Sequence, residues 1–192
     1  MNAEWVIVPL HKQHNRTQFD CGELELNTYL QKFARQNDEN YLSKTFVAVS
    51  LDQPEEVIGF YSLSAGSIEF DTLPANLYKK LPRYPIPVVR LTRLAVDKKH
   101  QGQGLGQSLL MDALTRYVKL SKEIGILGLI VNAKHERAKQ FYLKYDFQEL
   151  AIHSLTLFLP TRSIMAIFTG HEEGDRNRGS GLATLEPEAF PS

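Results

Sequence analysis

Cysteine is almost absent: Cys21 is the only one in 192 residues. A lone thiol excludes an internal disulfide and a cysteine-built zinc cage. Long apolar runs are missing too. The longest, Ile124 to Val131, is interrupted by two glycines and falls far short of the roughly 18 to 20 residues that a spanning helix needs. The first residues lack the charged, apolar, small-residue order of a secretory signal, so a cytoplasmic protein with no membrane association is expected. His11 and His14 stand three apart with no evident third ligand, so no metal site is expected. Net charge is also absent, 22 basic residues balancing 22 acidic ones. The balance hides an asymmetry: residues 1–71 carry 5 Lys and Arg against 11 Asp and Glu, and residues 72–122 carry 10 against 2. A one-signed region steers polyanions even on a neutral molecule, although the same lysines also serve simply to solvate a surface.

What is present reads as one α/β domain over residues 1–169, followed by a Gly-, Glu- and Pro-rich stretch, 170–192, expected to be a disordered tail. Glu4 to Leu10 reads as a strand. Leu26, Tyr29, Leu30, Phe33 and Ala34 recur at helical spacing after Asp20 and Glu23, a capping-box-like start. Thr45 to Ser50 and Val57 to Ser64 flank a turn at Pro54 and predict a hairpin. A short helix is expected within Ala75 to Leu81. Pro87 to Asp97, "PVVRLTRLAVD", is strand-like, but its apolar alternation slips, which predicts a bulge. Helices are expected over Leu105–Lys119 and Glu136–Tyr145, with a buried strand at Gly125–Val131 between them. A closing strand pair is expected near Leu155–Leu159 and Ile164–Phe168.

Between the slipping strand and the first of these helices lies "HQGQGLG", residues 100–106. A strand, a glycine turn and a helix start form an anion site, because helix-start amides lack intrahelical partners and the dipole favours negative charge. Two familiar phosphate loops do not fit. Gln107-Ser108 replaces the Lys-Ser/Thr of a Walker loop, and the third glycine of the dinucleotide pattern is missing.

Gln101 to Gly106 does match the Gln/Arg-x-x-Gly-x-Gly/Ala pyrophosphate arm of GNAT acyltransferases, which it resembles in context as well: "RLAVD" precedes it and "VNAKHERAKQFYLKYDF" follows one strand later. The resemblance implies a GNAT fold, a central mixed and mostly antiparallel sheet flanked by helices, with acyl-CoA in the gap between two splayed strands. It implies that Leu94, Ala95 and Val96 hold the thioester and pantetheine of acetyl-CoA, and that Gln101, Gly102, Gln103, Gly104, Leu105 and Gly106 hold its pyrophosphate. "FDCG", "LNTYL", "RYPIPVVRLTRLAVD", "AKQFY" and "LTLFLP" extend the likeness, over about residues 4–168, to the GNAT toxins of type II toxin-antitoxin modules. Members of that group acetylate the α-amine of aminoacyl-tRNA, block translation and are neutralised by a ribbon-helix-helix antitoxin. The resemblance also implies a homodimer.

On the same resemblance Tyr142 is the catalytic residue, a phenol that protonates the departing thiolate; its plain reading is a packed helix aromatic. Asn132 either hydrogen-bonds the pantetheine or caps a turn. Lys79, Lys80, Arg83, Arg90 and Arg93 suit the phosphates of a tRNA acceptor stem. No general base is evident beyond His135 and Glu136. An α-amine with a pKa of about 7.7 to 8 is partly neutral without one. Tyr145-Asp146-Phe147 departs from the glycine usual before phenylalanine, and Asp146 is expected to tolerate a left-handed turn. The alternative function is a GNAT acetylating a small-molecule or protein amine, which the acidic residues of 1–71 keep open.

Overall fold

Apolar residues alternating along short β-rich runs build a sheet here, and the longer stretches of helical period cover both of its faces. The computed structural model describes residues 5–73, 81, 83–150 and 153–175. The strands are β1 (Trp5–Pro9), β2 (Lys44–Ser50), β3 (Val57–Ile68), β4 (Ile86–Val96), β5 (Gly128–Asn132), β6 (Gln148–Leu150) and β7 (His153–Pro160). They lie in the order β1-β2-β3-β4-β5-β7-β6. Only β4 and β5 pair in parallel; every other neighbouring pair is antiparallel. The mixed, mostly antiparallel α/β sheet is thus as the sequence implies.

One face is covered by α3 (Leu105–Ser121), α4 (Glu136–Leu143) and α5 (Thr161–Asp175). Helix α3 sets the pattern: Leu105, Leu109, Leu110, Ala113, Leu114 and Tyr117 are buried along one stripe, each large side chain contributing about 1.5 to 3 kcal/mol on leaving water. The opposite face is covered at one end by α1 (Leu24–Thr28), a π-helical turn (Tyr29–Phe33) and α2 (Ala34–Glu39), which pack on Val47, Val49, Phe60 and Ala95. At its other end Leu73 and Leu81 pack on Ile86, Val88, Ile130 and Phe158.

Several expectations need correction. The capping box does not form: Asp20 instead accepts from the Gly22 amide at 2.9 Å, and α1 starts at Leu24 behind Glu23, whose side chain caps nothing. Phe33 is 47 % exposed rather than core, because the extra residue of the π turn rotates it off the buried stripe. Ile164 to Phe168 is helical, not a strand; Ile164, Ile167 and Phe168 recur at i, i+3 and i+4 and pack on the α3 side of the core. Helix α5 runs on to Asp175, into the stretch assigned to a tail. The helix expected within Ala75–Leu81 and the residues beyond 175 lie outside the described residues.

Candidate functional site

Strand β4 has two unlike edges. Its ladder to β3 continues as far as Val96, opposite Gly59. Its parallel ladder to β5 stops at Leu91, opposite Val131. From Thr92 to Val96, the stretch holding Leu94, Ala95 and Val96, the β5-side edge has no strand partner among the described residues. The Thr92 and Val96 carbonyls accept from the Arg93 and Gln101 side chains; the remaining backbone groups on that edge need a partner, and an extended chain bearing amides of its own is a fitting one.

The expected bulge lies at the start of this opening. The β3 register jumps from Ser62 opposite Arg93 to Leu63 opposite Leu91, leaving Thr92 as the extra residue, its hydroxyl donating to the Ser62 carbonyl at 3.2 Å. One inserted residue reverses which face each later side chain meets. Val89 and Leu91 are followed by Leu94 and Val96 on the α3 side. Arg90 is followed by Arg93 on the other side, between Val88 and Ala95.

Past Val96 the chain turns through Lys98–His100. The buried Asp97 carboxylate fixes this turn, accepting from the Lys99 and Asp20 amides at 2.9 Å each. Gly102 and Gly104 take φ of +76° and +88°. A Cβ on either would meet nothing within 4 Å, so glycine is required here for its left-handed backbone more than for its smallness. Gly104 is the N-cap of α3 and offers no capping side chain, which leaves the first-turn amides from Leu105 through Gln107 for an anion. The Gln101 amide group donates instead to the carbonyls of Cys21 and Val96, at 3.1 and 3.0 Å, and Gln103 donates to the Lys99 carbonyl at 3.0 Å. These two side chains brace the loop, leaving the anion to the main chain.

Tyr142, on α4, is 5 % exposed. Its ring sits against Phe141 and Phe147, with centroids 5.1 and 5.3 Å away. Burial pushes its pKa well above the ordinary phenol value, and its hydroxyl has no hydrogen-bond partner among the described residues. Asp146 takes the left-handed turn, with φ of 63°. His135 is the N-cap of α4, its Nδ1 accepting from the Ala138 amide at 3.1 Å, so that nitrogen is not free to act as a base. Asn132 ends β5, its Oδ1 accepting from the Thr156 hydroxyl at 3.1 Å, with the amide nitrogen left to donate. Cys21 is partly buried and packs on the cluster of Phe19 and Phe60, its sulfur 3.1 Å from Asn27 Oδ1.

On the sheet face away from α3, a polar strip separates the two apolar clusters. Ser62 and Ser64 on β3 lie opposite Arg93 and Arg90, and Asn132 and Thr156 continue the strip beyond the opening. Arg90 lies over Gly66 and donates to the Ser67 carbonyl at 2.9 Å. Arg93 stacks on the Tyr29 ring, 4.5 Å from its centroid. Arg83 is exposed; Lys79 and Lys80 fall outside the described residues. The strip's serines and threonine, and Tyr29, were not evident from the sequence, since which residues share a face depends on the bulge. Among the described residues no cluster of His, Cys, Asp and Glu could hold a metal, and no helix is long and apolar enough to cross a membrane.

Residues 42–149 match the model of the acetyltransferase (GNAT) domain. A tRNA-acetylating toxin of Mycobacterium tuberculosis is 38% identical over 151 residues, 79% of this chain and 89% of that protein. The structure of AtaT complexed with acetyl-methionyl-tRNAfMet superposes with a TM-score of 0.80 at 33% identity, covering 85% of this chain and 99% of that one. A tyrosine-to-phenylalanine mutant of AtaT, bound to the C-terminus of the antitoxin AtaR and to acetyl-CoA, superposes with a TM-score of 0.74 at 32% identity, covering 86% and 99%.

Proposed function

The chain belongs to the GNAT acetyltransferase family, and on that premise we propose that it is a toxin that transfers acetyl from acetyl-CoA to the α-amine of aminoacyl-tRNA. One observation carries the reading. Where β4 and β5 part, the core cluster that contains the buried Tyr142 together with Leu94 and Val96 covers one face of the sheet, and Arg90 and Arg93 lie on the other. Acetyl-CoA and the charged acceptor, both polyanions, can thus approach the same gap from different sides.

The site fits acetyl-CoA. The unpaired edge of Leu94 to Val96 and the Asn132 amide suit the pantetheine, and the first-turn amides of α3 behind Gly102 and Gly104 suit the diphosphate. Bound there, the thioester supplies an activated acetyl group, its C–S bond breaking as the C–N bond to the amine forms. The Tyr142 hydroxyl, held protonated by its apolar surroundings, gives its proton to the departing sulfur, and the proton shed by the attacking nitrogen as the amide forms restores the phenol. Amides along Leu94 to Val96 steady the carbonyl oxygen as charge builds on it. An amine with a pKa of about 7.7 to 8 is sufficiently neutral to attack without a dedicated base.

Arg90 and Arg93 receive phosphates of the acceptor stem, assisted by Arg83, Lys79 and Lys80. A ribbon-helix-helix antitoxin is the proposed protein partner, a homodimer the proposed assembly and the cytoplasm the proposed compartment; the resemblance of motifs supports the first two, and the near-absence of cysteine fits the third. The test incubates the protein with labelled acetyl-CoA and either charged or deacylated tRNA. Label on charged tRNA alone is the expected result. Label on neither, from protein that binds acetyl-CoA, would transfer the function to small or protein amines.

A further inference from the structure

The helix over the arginine strip is irregular at one place. Between α1 and α2 the amide of Ala34 bonds the carbonyl of Tyr29, an i to i+5 bond that makes Tyr29–Phe33 a π turn. Such turns are rare, weaken the helix and occur frequently at functional sites. This one gives Tyr29 a fixed orientation: it is 6 % exposed, its ring stacks on Phe60 at 6.1 Å, and its hydroxyl is 3.0 Å from Ser43 Oγ. Ser43 is itself buried beside a Thr45–Ser62 hydroxyl pair at 2.8 Å. The same ring carries the Arg93 guanidinium, 4.5 Å from its centroid.

Among the described residues Arg93 makes one hydrogen bond, its Nη1 donating to the Thr92 carbonyl at 3.0 Å. No carboxylate lies within ion-pair distance of it among the described residues. A planar cation stacked on an aromatic ring and partly out of water keeps its donors in one plane for an anion. The bulge at Thr92 turns it onto the strip face at the point where β4 leaves β5. Arg93 thus lies on the strip face within the opening itself, so an acceptor whose amine enters there brings its terminal phosphate past Arg93.

We infer that Tyr29 is a positioning residue for acceptor recognition: the π turn holds its ring under Arg93, and Arg93 binds the phosphate nearest the aminoacylated 3' end. The inference rests on the proposal that the acceptor is a charged tRNA. It makes Tyr29 act through Arg93 alone, with no part in binding acetyl-CoA or in the chemistry.

The test is initial-rate kinetics on the full chain, with a charged tRNA pool and with an aminoacyl ester of adenosine, which has no phosphate. Tyr29→Leu should raise KM for charged tRNA about 5- to 20-fold, leaving kcat and the acetyl-CoA KM within about twofold and activity on the adenosine ester unchanged. Tyr29→Phe, which keeps the ring, should behave as wild type. Arg93→Lys keeps the charge but not the stacking plane, and should reproduce the KM effect. The double variant should be no worse than either single one. Equal loss on the phosphate-free ester, or a fall in kcat with KM unchanged, overturns the inference. If Tyr29→Leu fails to fold, a wild-type KM for Arg93→Lys still overturns it. Wild-type protein inactive on every charged tRNA would remove the acceptor assignment and this inference with it. An active wild type with unaltered variants removes only the inference.

Discussion

A phenol whose surroundings are all apolar cannot easily ionise, and Tyr142 is such a phenol. It therefore stays a proton donor throughout the range in which an α-amine becomes a nucleophile. The pH profile of kcat/KM should rise through the amine's pKa, about 7.7 to 8, and show no falling limb below pH of about 10. Tyr142→Phe should keep the melting temperature within a few degrees and lose roughly 10² to 10⁴ in kcat; circular dichroism melts alongside rate measurements check both. Asp20 makes a different residue-scale prediction. Hydrogen bonds from Lys98, Asn27 and Gly22 lower its pKa from 3.8 to about 2. A carboxylate with a depressed folded pKa stabilises the fold above its unfolded pKa and loses that contribution as pH falls through the folded value. The melting difference between wild type and Asp20→Asn should accordingly shrink between pH 4 and pH 2.

At the scale of elements, α3 anchors the core and, with Gly104 as a cap that has no side chain, leaves its first-turn amides open where the proposed reading seats the diphosphate. Leu114→Ala, in the wholly buried stripe, should lower stability by about 2 to 5 kcal/mol in urea unfolding and leave the acetyl-CoA KM nearly unchanged. Gly104→Ala should do the reverse. It forces a left-handed φ of +88° on alanine, costing about 1 to 2 kcal/mol, and should raise the acetyl-CoA KM because the backbone that aims the amides must shift. Elements of this local kind were legible in the sequence. The glycine loop, the slip that marks the bulge, the buried stripe of α3 and the left-handed Asp146 each depend on neighbours in the chain. Features that depend on register or on an added helical residue were not. Arg90 and Arg93, three apart, would face opposite ways in a regular strand, and only the placement of Thr92 sets them together. Phe33 fits the helical period of α1 until the π turn displaces it. Ile164 to Phe168 is rich in β-formers, but its spacing of three and four decides for a helix once the α3 side of the core is there to receive it.

Across the whole molecule, charge separation accomplishes what net charge does not. The basic stretch 72–122 contributes Arg90 and Arg93 to one face of the sheet beside the opening, and the acidic N-terminal part lies partly in pairs with bases, Asp20 with Lys98 and Asp38 with Lys44. Binding of charged tRNA should weaken steeply as salt rises, as expected when phosphate contacts release counterions. The acetyl-CoA KM should depend on salt much less if, as proposed, main-chain amides hold its diphosphate. Filter binding at several ionic strengths separates the two slopes. The most direct measurement treats charged tRNA with the protein and acetyl-CoA, releases the terminal aminoacyl-adenosine with nuclease and reads its mass and fragmentation. The account predicts one added acetyl group, located on the α-nitrogen and absent with Tyr142→Phe. Unmodified aminoacyl-adenosine from protein that binds acetyl-CoA, or an acetyl group on the ribose or base, would contradict it.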